Sequence, residues 1–285
     1  MNIRTYKHHF ISELTAHYDA IEAENFINLL LEDWLGLKRI DVATKPELEF
    51  SPEEKARFDS ALDQLKQEVP IQYIIGSTHF YGFEFEVNPA VLIPRQETEE
   101  LVDWIVKDWE FNGNPQILDI GTGSGCIAIS VAKSLVDSKV SAIDVSFDAL
   151  ETAKRNAVRN EASVQFHLQD ILQTKSLDHK YDIIVSNPPY VRNLEKHEIR
   201  KNVLEYEPHL ALFVDDNDAL VFYRKIAQLA IESLSENGSL YFEINQYLAS
   251  ETIEMLENIG YKSIELRKDL LGNDRMLKAS ISDVN

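Results

Sequence analysis

The chain has 285 residues, 44% of them hydrophobic, with one cysteine and 48 acidic against 28 basic residues, a formal net charge of −20 at pH 7. That length accommodates two domains, and the apolar content is normal for a packed globular core. No apolar run approaches the ~18 residues needed to span a bilayer. One cysteine makes neither an internal disulfide nor a Cys-based zinc cluster, and so negative a field opposes the phosphate contacts on which duplex binding depends.

Residues 1–75 read as a small helical domain. The segment Met1–His9 leads into an amphipathic pattern and lacks the apolar core of a signal peptide, so a cytoplasmic protein without membrane contact is expected. From Glu22 to Leu35 the pattern sets Phe26, Leu29, Leu30 and Trp34 on one helical face. Ser51-Pro52-Glu53-Glu54 is a helix start, with a Ser N-cap, Pro at the first helical position and Glu closing the capping box. Phe58, Leu62, Leu65 and Val69 then recur at helical spacing. Residues 76–92 alternate aromatic and polar groups (Phe80, Phe83, Phe85, Val87) and predict a β-hairpin linker. From residue 93 to 285 strands and helices alternate, as in an α/β doubly wound parallel sheet. Ile264–Leu266 and Met276–Ile281 form a final antiparallel pair in this reading.

Two motifs in the α/β part carry chemistry. The apolar strand Gln116–Ile120 runs into Gly121-Thr122-Gly123-Ser124-Gly125 and then into a helix of small and apolar residues from Cys126. Strand, glycine loop and helix form a nucleotide-cradling unit, but a G-x-G-x-G spacing does not favour a pyrophosphate. Cys126 is read as a small buried helix residue. The next strand ends in Asp144, about 20 residues on, where a carboxylate binds both ribose hydroxyls. A further strand ends at Gln169-Asp170, which suits an adenine amino group, and Asp119 at the lip of the loop suits a cationic sulfonium. Together these groups indicate S-adenosylmethionine.

The second motif is Asn187-Pro188-Pro189-Tyr190, after the apolar run Tyr181–Ser186. Two prolines end the ladder, so the chain turns out at the carboxyl edge of the sheet, where open α/β sheets bind ligands. The Asn187 amide oxygen and the Pro188 carbonyl can accept from a planar NH2 group, and the Tyr190 ring can stack on that plane. Amino or amide nitrogen methylation is the expected chemistry. Arg192, Lys196, Arg200 and Lys201 follow, but Glu195, Glu198 and Glu205 are interleaved with them, which reads as a mixed-charge solvated helix.

The chain resembles the HemK/PrmC family of release factor N5-glutamine methyltransferases. Beyond the two motifs, the resemblance rests on Ile93-Pro94-Arg95-Gln96-Glu97-Thr98-Glu99, on Pro70–Gly76 with Phe80-Tyr81-Gly82, on Tyr206-Glu207-Pro208 and on Gly272-Asn273-Asp274-Arg275. It implies a Rossmann-like class I methyltransferase domain behind a substrate-recognising helical bundle. It implies S-adenosylmethionine held by Asp119, Gly121, Thr122, Gly123, Ser124, Gly125, Asp144, Asp170, Ile171 and Asn187, with no metal. Asn187, Pro188 and Tyr190 are the catalytic set, joined by Pro189 at the substrate. The implied substrate is the glutamine of the Gly-Gly-Gln loop in class 1 peptide chain release factors. Nucleic-acid adenine-N6 and guanine-N2 methyltransferases share the Asn-Pro-Pro-Tyr string and stand as the alternative. A non-catalytic binding protein of the same fold is a third reading.

Overall fold

A computed structural model describes residues 1–45 and 47–282, which form two units. The first comprises Met1–Gly76 with Lys201–Tyr206. Its helices are α1 (Ile3–Leu14), α2 (Ala20–Leu35), α3 (Arg39–Thr44), α4 (Pro52–Lys66) and α5 (Ile71–Ile75). The capping box forms as expected: Glu54 N–H donates to Ser51 Oγ and Ser51 N–H to Glu54 Oε2. Tyr6, Phe10, Leu14, Ile27, Leu30, Phe58, Leu62 and Leu65 build the core. The buried stripe of α2 is Ala23, Ile27, Leu30 and Leu31, rotated from the predicted face, so Leu29 is 47% exposed while Phe26 and Trp34 are half-buried. At 100° per residue the i, i+4, i+7, i+8 stripe through Ile27 is the one that meets α1.

The second unit holds the remaining elements. The hairpin pairs β1 (Ser77–Phe80) with β2 (Phe83–Glu86), Phe80 opposite Phe83. Tyr81 and Gly82 both have positive φ, 49° and 79°, the two-residue turn whose twist matches that of its strands. The segment predicted as a linker is fastened to this unit. Phe80 and Phe85 enter its core, and the buried Asn156 holds the hairpin edge. Its Oδ1 accepts from Glu86 N–H at 2.6 Å, while Nδ2 donates to Glu86 O at 3.0 Å and to Ser124 O at 2.9 Å.

After α6 (Gln96–Trp109) the chain alternates β3 (Gln116–Ile120), α7 (Cys126–Ser134), β4 (Lys139–Asp144), α8 (Phe147–Arg159), β5 (Val164–Leu168) and β6 (Tyr181–Ser186). The short β7 (Val191–Arg192), α9 (Lys201–Tyr206), α10 (His209–Leu212) and β8 (Phe213–Val214) intervene before α11 (Val221–Ser233), β9 (Leu234–Glu243), α12 (Ala249–Ile259), β10 (Ser263–Lys268) and β11 (Asp274–Ser280). Helix α9 groups with the first unit, where Tyr206 Oη donates to Gln67 O at 2.7 Å.

Seven strands form one sheet in the order β5-β4-β3-β6-β9-β11-β10, parallel from β5 to β9, with β11 antiparallel to both neighbours. Alternate residues feed opposite layers. Ile117, Ile183 and Val185 face the layer containing Trp104, Ile129 and Ala157, whereas Leu118, Ile120 and Ile184 face Tyr223, Ile226 and Leu256. The helices after β3 and β6 therefore cover opposite faces, and the order reverses between these two strands. A crevice opens at their carboxyl ends.

Asn156→Ala removes partners from three main-chain groups at once. It should lower the unfolding free energy by about 3 kcal/mol or more, at ~1–3 kcal/mol for each main-chain group left unpaired, read as a shifted denaturation midpoint.

Candidate active site

The crevice holds a cavity of about 270 Å³. Its wall takes residues from five strand ends and loops: Pro94, Arg95 and Thr98 ahead of and within α6, the loop Gly121–Ser124, Asp144 at the end of β4, Gln169, Asp170 and Ile171 after β5, and Asn187, Pro188 and Pro189 after β6. Leu210, Ala211, Phe222 and Ile226 add an apolar side.

The glycine loop is shaped by its neighbours. Gly123 has φ +55° and donates its N–H to Asp144 Oδ2 at 2.8 Å, and a Cβ there would stand in open space. Gly125 is required for packing instead. At φ +82° its Cβ would lie 3.0 Å from Ile129 Cδ1 and 3.2 Å from Ala153 Cβ, so it lets α7 and α8 close beneath the loop and does not reach the wall.

Asp144 also accepts from Ser146 N–H at 2.8 Å. Burial raises its carboxyl above the ordinary range, and the backbone donors oppose that shift. Both oxygens keep lone pairs for further donors. Asp170 Oδ1 accepts from Leu172 N–H at 2.8 Å, so the carboxylate is fixed at the wall by its own turn.

Two further predicted positions differ in detail. Asp119 is fully buried beneath the loop and is not part of the wall, because β3 runs one residue further between β4 and β6 before the chain turns. Its Oδ2 accepts from Thr122 Oγ1 at 2.6 Å, its Oδ1 has no partner, and burial pushes the carboxyl up to about 7. Tyr190 is likewise absent from the wall. Its ring packs against the core, and its hydroxyl donates to Glu243 Oε1 at 3.0 Å. The turn after Pro189 carries this side chain inward.

Several residues of the site were not singled out as such in the sequence. Thr98 Oγ1 donates to Glu243 Oε2 at 2.6 Å and accepts from Asn187 Nδ2 at 3.3 Å. Glu207 is buried, accepts from Ile93 N–H at 3.0 Å and pairs with Arg95, which pins the segment before α6. A signal existed for each. Thr98 and Glu207 lie in the strings that carry the family resemblance, and Glu243 is a carboxylate at the end of an apolar strand. Cys126 is half-buried on the wall, its thiol pushed up to about 12 by burial and so protonated.

These walls fit S-adenosylmethionine. The open side of Gly123 admits a ligand against the backbone, and Asp144 and Asp170 present carboxylate acceptors at the wall. A seven-stranded sheet with one inserted antiparallel strand, bearing such a cavity at its order reversal, defines a class I S-adenosylmethionine-dependent methyltransferase.

Residues 98–210 match the methyltransferase small domain family and residues 7–76 the PrmC N-terminal domain. The chain is 55% identical over 283 residues to a release factor glutamine methyltransferase of Flavobacterium psychrophilum, covering 98% of this chain and 99% of that protein. It is 45% identical over 267 residues to the Bacteroides thetaiotaomicron protein of the same name, covering 92% and 94%. A solved methyltransferase from Pyrococcus furiosus shares the fold, with a TM-score of 0.52 at 20% identity over 82% of this chain and 100% of that one. The chain belongs to the release factor glutamine methyltransferase family.

Two outcomes follow from the site. Asp144→Ala should weaken S-adenosylmethionine binding by roughly tenfold or more, the value of a lost charge-assisted hydrogen bond, and an unchanged dissociation constant by calorimetry would refute the ribose role. The Asp119 carboxyl sits at about 7 when folded, well above its unfolded value of about 4. The cost of its buried charge therefore sets in as pH rises between those values and is complete above them. Asp119→Asn should raise the cofactor-free melting temperature above pH 7 and leave it nearly unchanged at about pH 4.

Proposed function

We propose that Asn187 and the Pro188 carbonyl together grip the side-chain amide nitrogen of glutamine in the Gly-Gly-Gln loop of class 1 peptide chain release factors, so that this enzyme methylates it at N5. Asn187 carries the reading. It stands on the same wall as Asp144 and Asp170, and with Nδ2 turned to Thr98 its Oδ1 remains an acceptor.

An amide nitrogen is a poor nucleophile because its lone pair is delocalised into the carbonyl. Two acceptors on its two N–H groups fix the nitrogen, aim it and favour positive charge developing on it. Bound S-adenosylmethionine supplies the methyl group as an electrophile on sulfonium sulfur, leaving as S-adenosylhomocysteine. Gly121, Thr122, Gly123, Ser124, Asp144, Asp170 and Ile171 would hold it. Asp119 acts from beneath the loop by fixing Thr122. Pro189 shapes the substrate side, and Tyr190 steadies Glu243 behind it. An N-protonated amide is a strong acid, so proton loss needs no dedicated base. Glutamate is rejected because a carboxylate has no N–H to give these acceptors, a distinction worth up to ~10⁴.

The surface supports a protein substrate and a cytoplasmic setting. Among the described residues no helix is long and apolar enough to cross a membrane. Three basic residues that follow Pro189 are engaged with acids or rings: Arg192 with Glu195, Lys201 with Glu68, and Lys196 over Phe213. A net charge of −20 suits a basic protein partner better than a nucleic acid. The helical unit of residues 1–75 is the part assigned to recognition of the intact factor.

Incubation of a class 1 release factor with this protein and S-adenosylmethionine should add one methyl to the Gly-Gly-Gln glutamine, read by mass spectrometry. Methyl in DNA or ribosomal RNA, with none on the factor, would move the assignment to nucleic-acid amino groups. Asn187→Ala should lower turnover by more than about 10²-fold while cofactor affinity stays within a few-fold.

A further inference from the structure

The Asn187 amide is useful only one way round. Its oxygen must face the substrate N–H, yet its two ends are nearly the same size and a half-turn about χ2 exchanges them. Something in the protein has to choose.

The choice is traceable atom by atom. Glu243, the last residue of β9, is 1% exposed and lies behind the wall. It accepts from two hydroxyls, Thr98 Oγ1 at 2.6 Å and Tyr190 Oη at 3.0 Å. An ionised carboxylate only accepts, so each hydroxyl commits its single hydrogen to it. Thr98 Oγ1 then has only lone pairs to offer at 3.3 Å from Asn187, and an oxygen without a free hydrogen is satisfied by the amide NH2 and repelled by the amide oxygen. Burial raises the Glu243 carboxyl, while the Thr98 hydroxyl, the Arg275 charge and the Tyr190 hydroxyl favour its ionised form.

We infer that Glu243, acting through Thr98, is a positioning element that locks the Asn187 amide with its oxygen toward the substrate. This rests on the proposed grip on the glutamine nitrogen and deepens it. Without the lock the amide turns over and presents NH2, which binds the glutamine carbonyl oxygen instead. The substrate then still binds, but with its nitrogen directed away from the methyl donor. The signature is a fall in kcat with no rise in KM, since nonproductive binding lowers both together.

The test uses the full chain and a class 1 release factor. Thr98→Val keeps the shape and removes the hydroxyl; Thr98→Ser keeps the hydroxyl. Thr98→Val should lose about 10²-fold in kcat, the scale of a mispositioned reacting group, with KM not raised and S-adenosylmethionine affinity within twofold. Thr98→Ser should stay within a few-fold of wild type. Glu243→Leu, which removes the acceptor and frees the Thr98 hydrogen toward Asn187, should reproduce the kcat loss, and it decides the matter should Thr98→Val not fold. Wild-type kcat in either folded variant, or equal losses in Thr98→Val and Thr98→Ser, would overturn the lock. A wild-type protein that leaves the release factor unmethylated is a separate failure, that of the substrate assignment.

Discussion

Two parallel neighbours, β3 and β6, send their following helices to opposite faces of the sheet. Helix α7 packs in the layer of Trp104 and Ile129, and α11 in the layer of Tyr223 and Ile226. Neither helix can cover the strand ends between them, so main-chain and side-chain polar groups there face an open crevice. Everything chemical in this protein is placed by that gap. The glycine loop leaves β3 on one side of it, and the Asn-Pro-Pro-Tyr turn leaves β6 on the other. Asp144 at the end of β4 and Asp170 after β5 approach from the flank, and β9 brings Glu243 up from behind.

The crevice also shows how little of its polarity is left unmanaged. Glu207 is tied by Ile93 N–H and Arg95, Glu195 by Arg192 and Asn245, and Glu243 by two hydroxyls. Buried carboxylates are tolerated where donors converge on them, and Glu207 and Glu243 also hold Arg95 and Thr98, which line the cavity. Asp119 is the exception. One of its oxygens lacks a partner, and its carboxyl is held at about 7. Strain of this kind beneath a ligand loop is where a fold gives up stability for a function.

What was legible in the sequence was local. The glycine loop, Asp144, Asp170 and Asn187 each follow an apolar strand within a few residues, so strand pattern and motif together placed them at one sheet edge. Pairings across the fold were not legible: Thr98 meets Glu243 across 145 positions and Ile93 meets Glu207 across 114. Only the strand order brings them together. Side-chain direction at strand ends was also beyond reach, which is why Asp119 and Tyr190 were expected on the wall and lie behind it. In α2 the apolar residues cover more than one face, so composition alone left the buried stripe ambiguous by one residue. The return of Lys201–Tyr206 to the N-terminal unit has no local signature in its sequence.

One amide connects two features that chain order keeps apart. Asn156 bonds the hairpin edge at Glu86 with one hand and the glycine loop at Ser124 with the other. The loop is thus anchored to a rigid two-stranded ribbon that has no part in the chemistry. A loop held in this way meets its ligand already ordered. The conformational entropy of closing it is lost once, at folding, and does not recur with each cofactor exchanged in turnover.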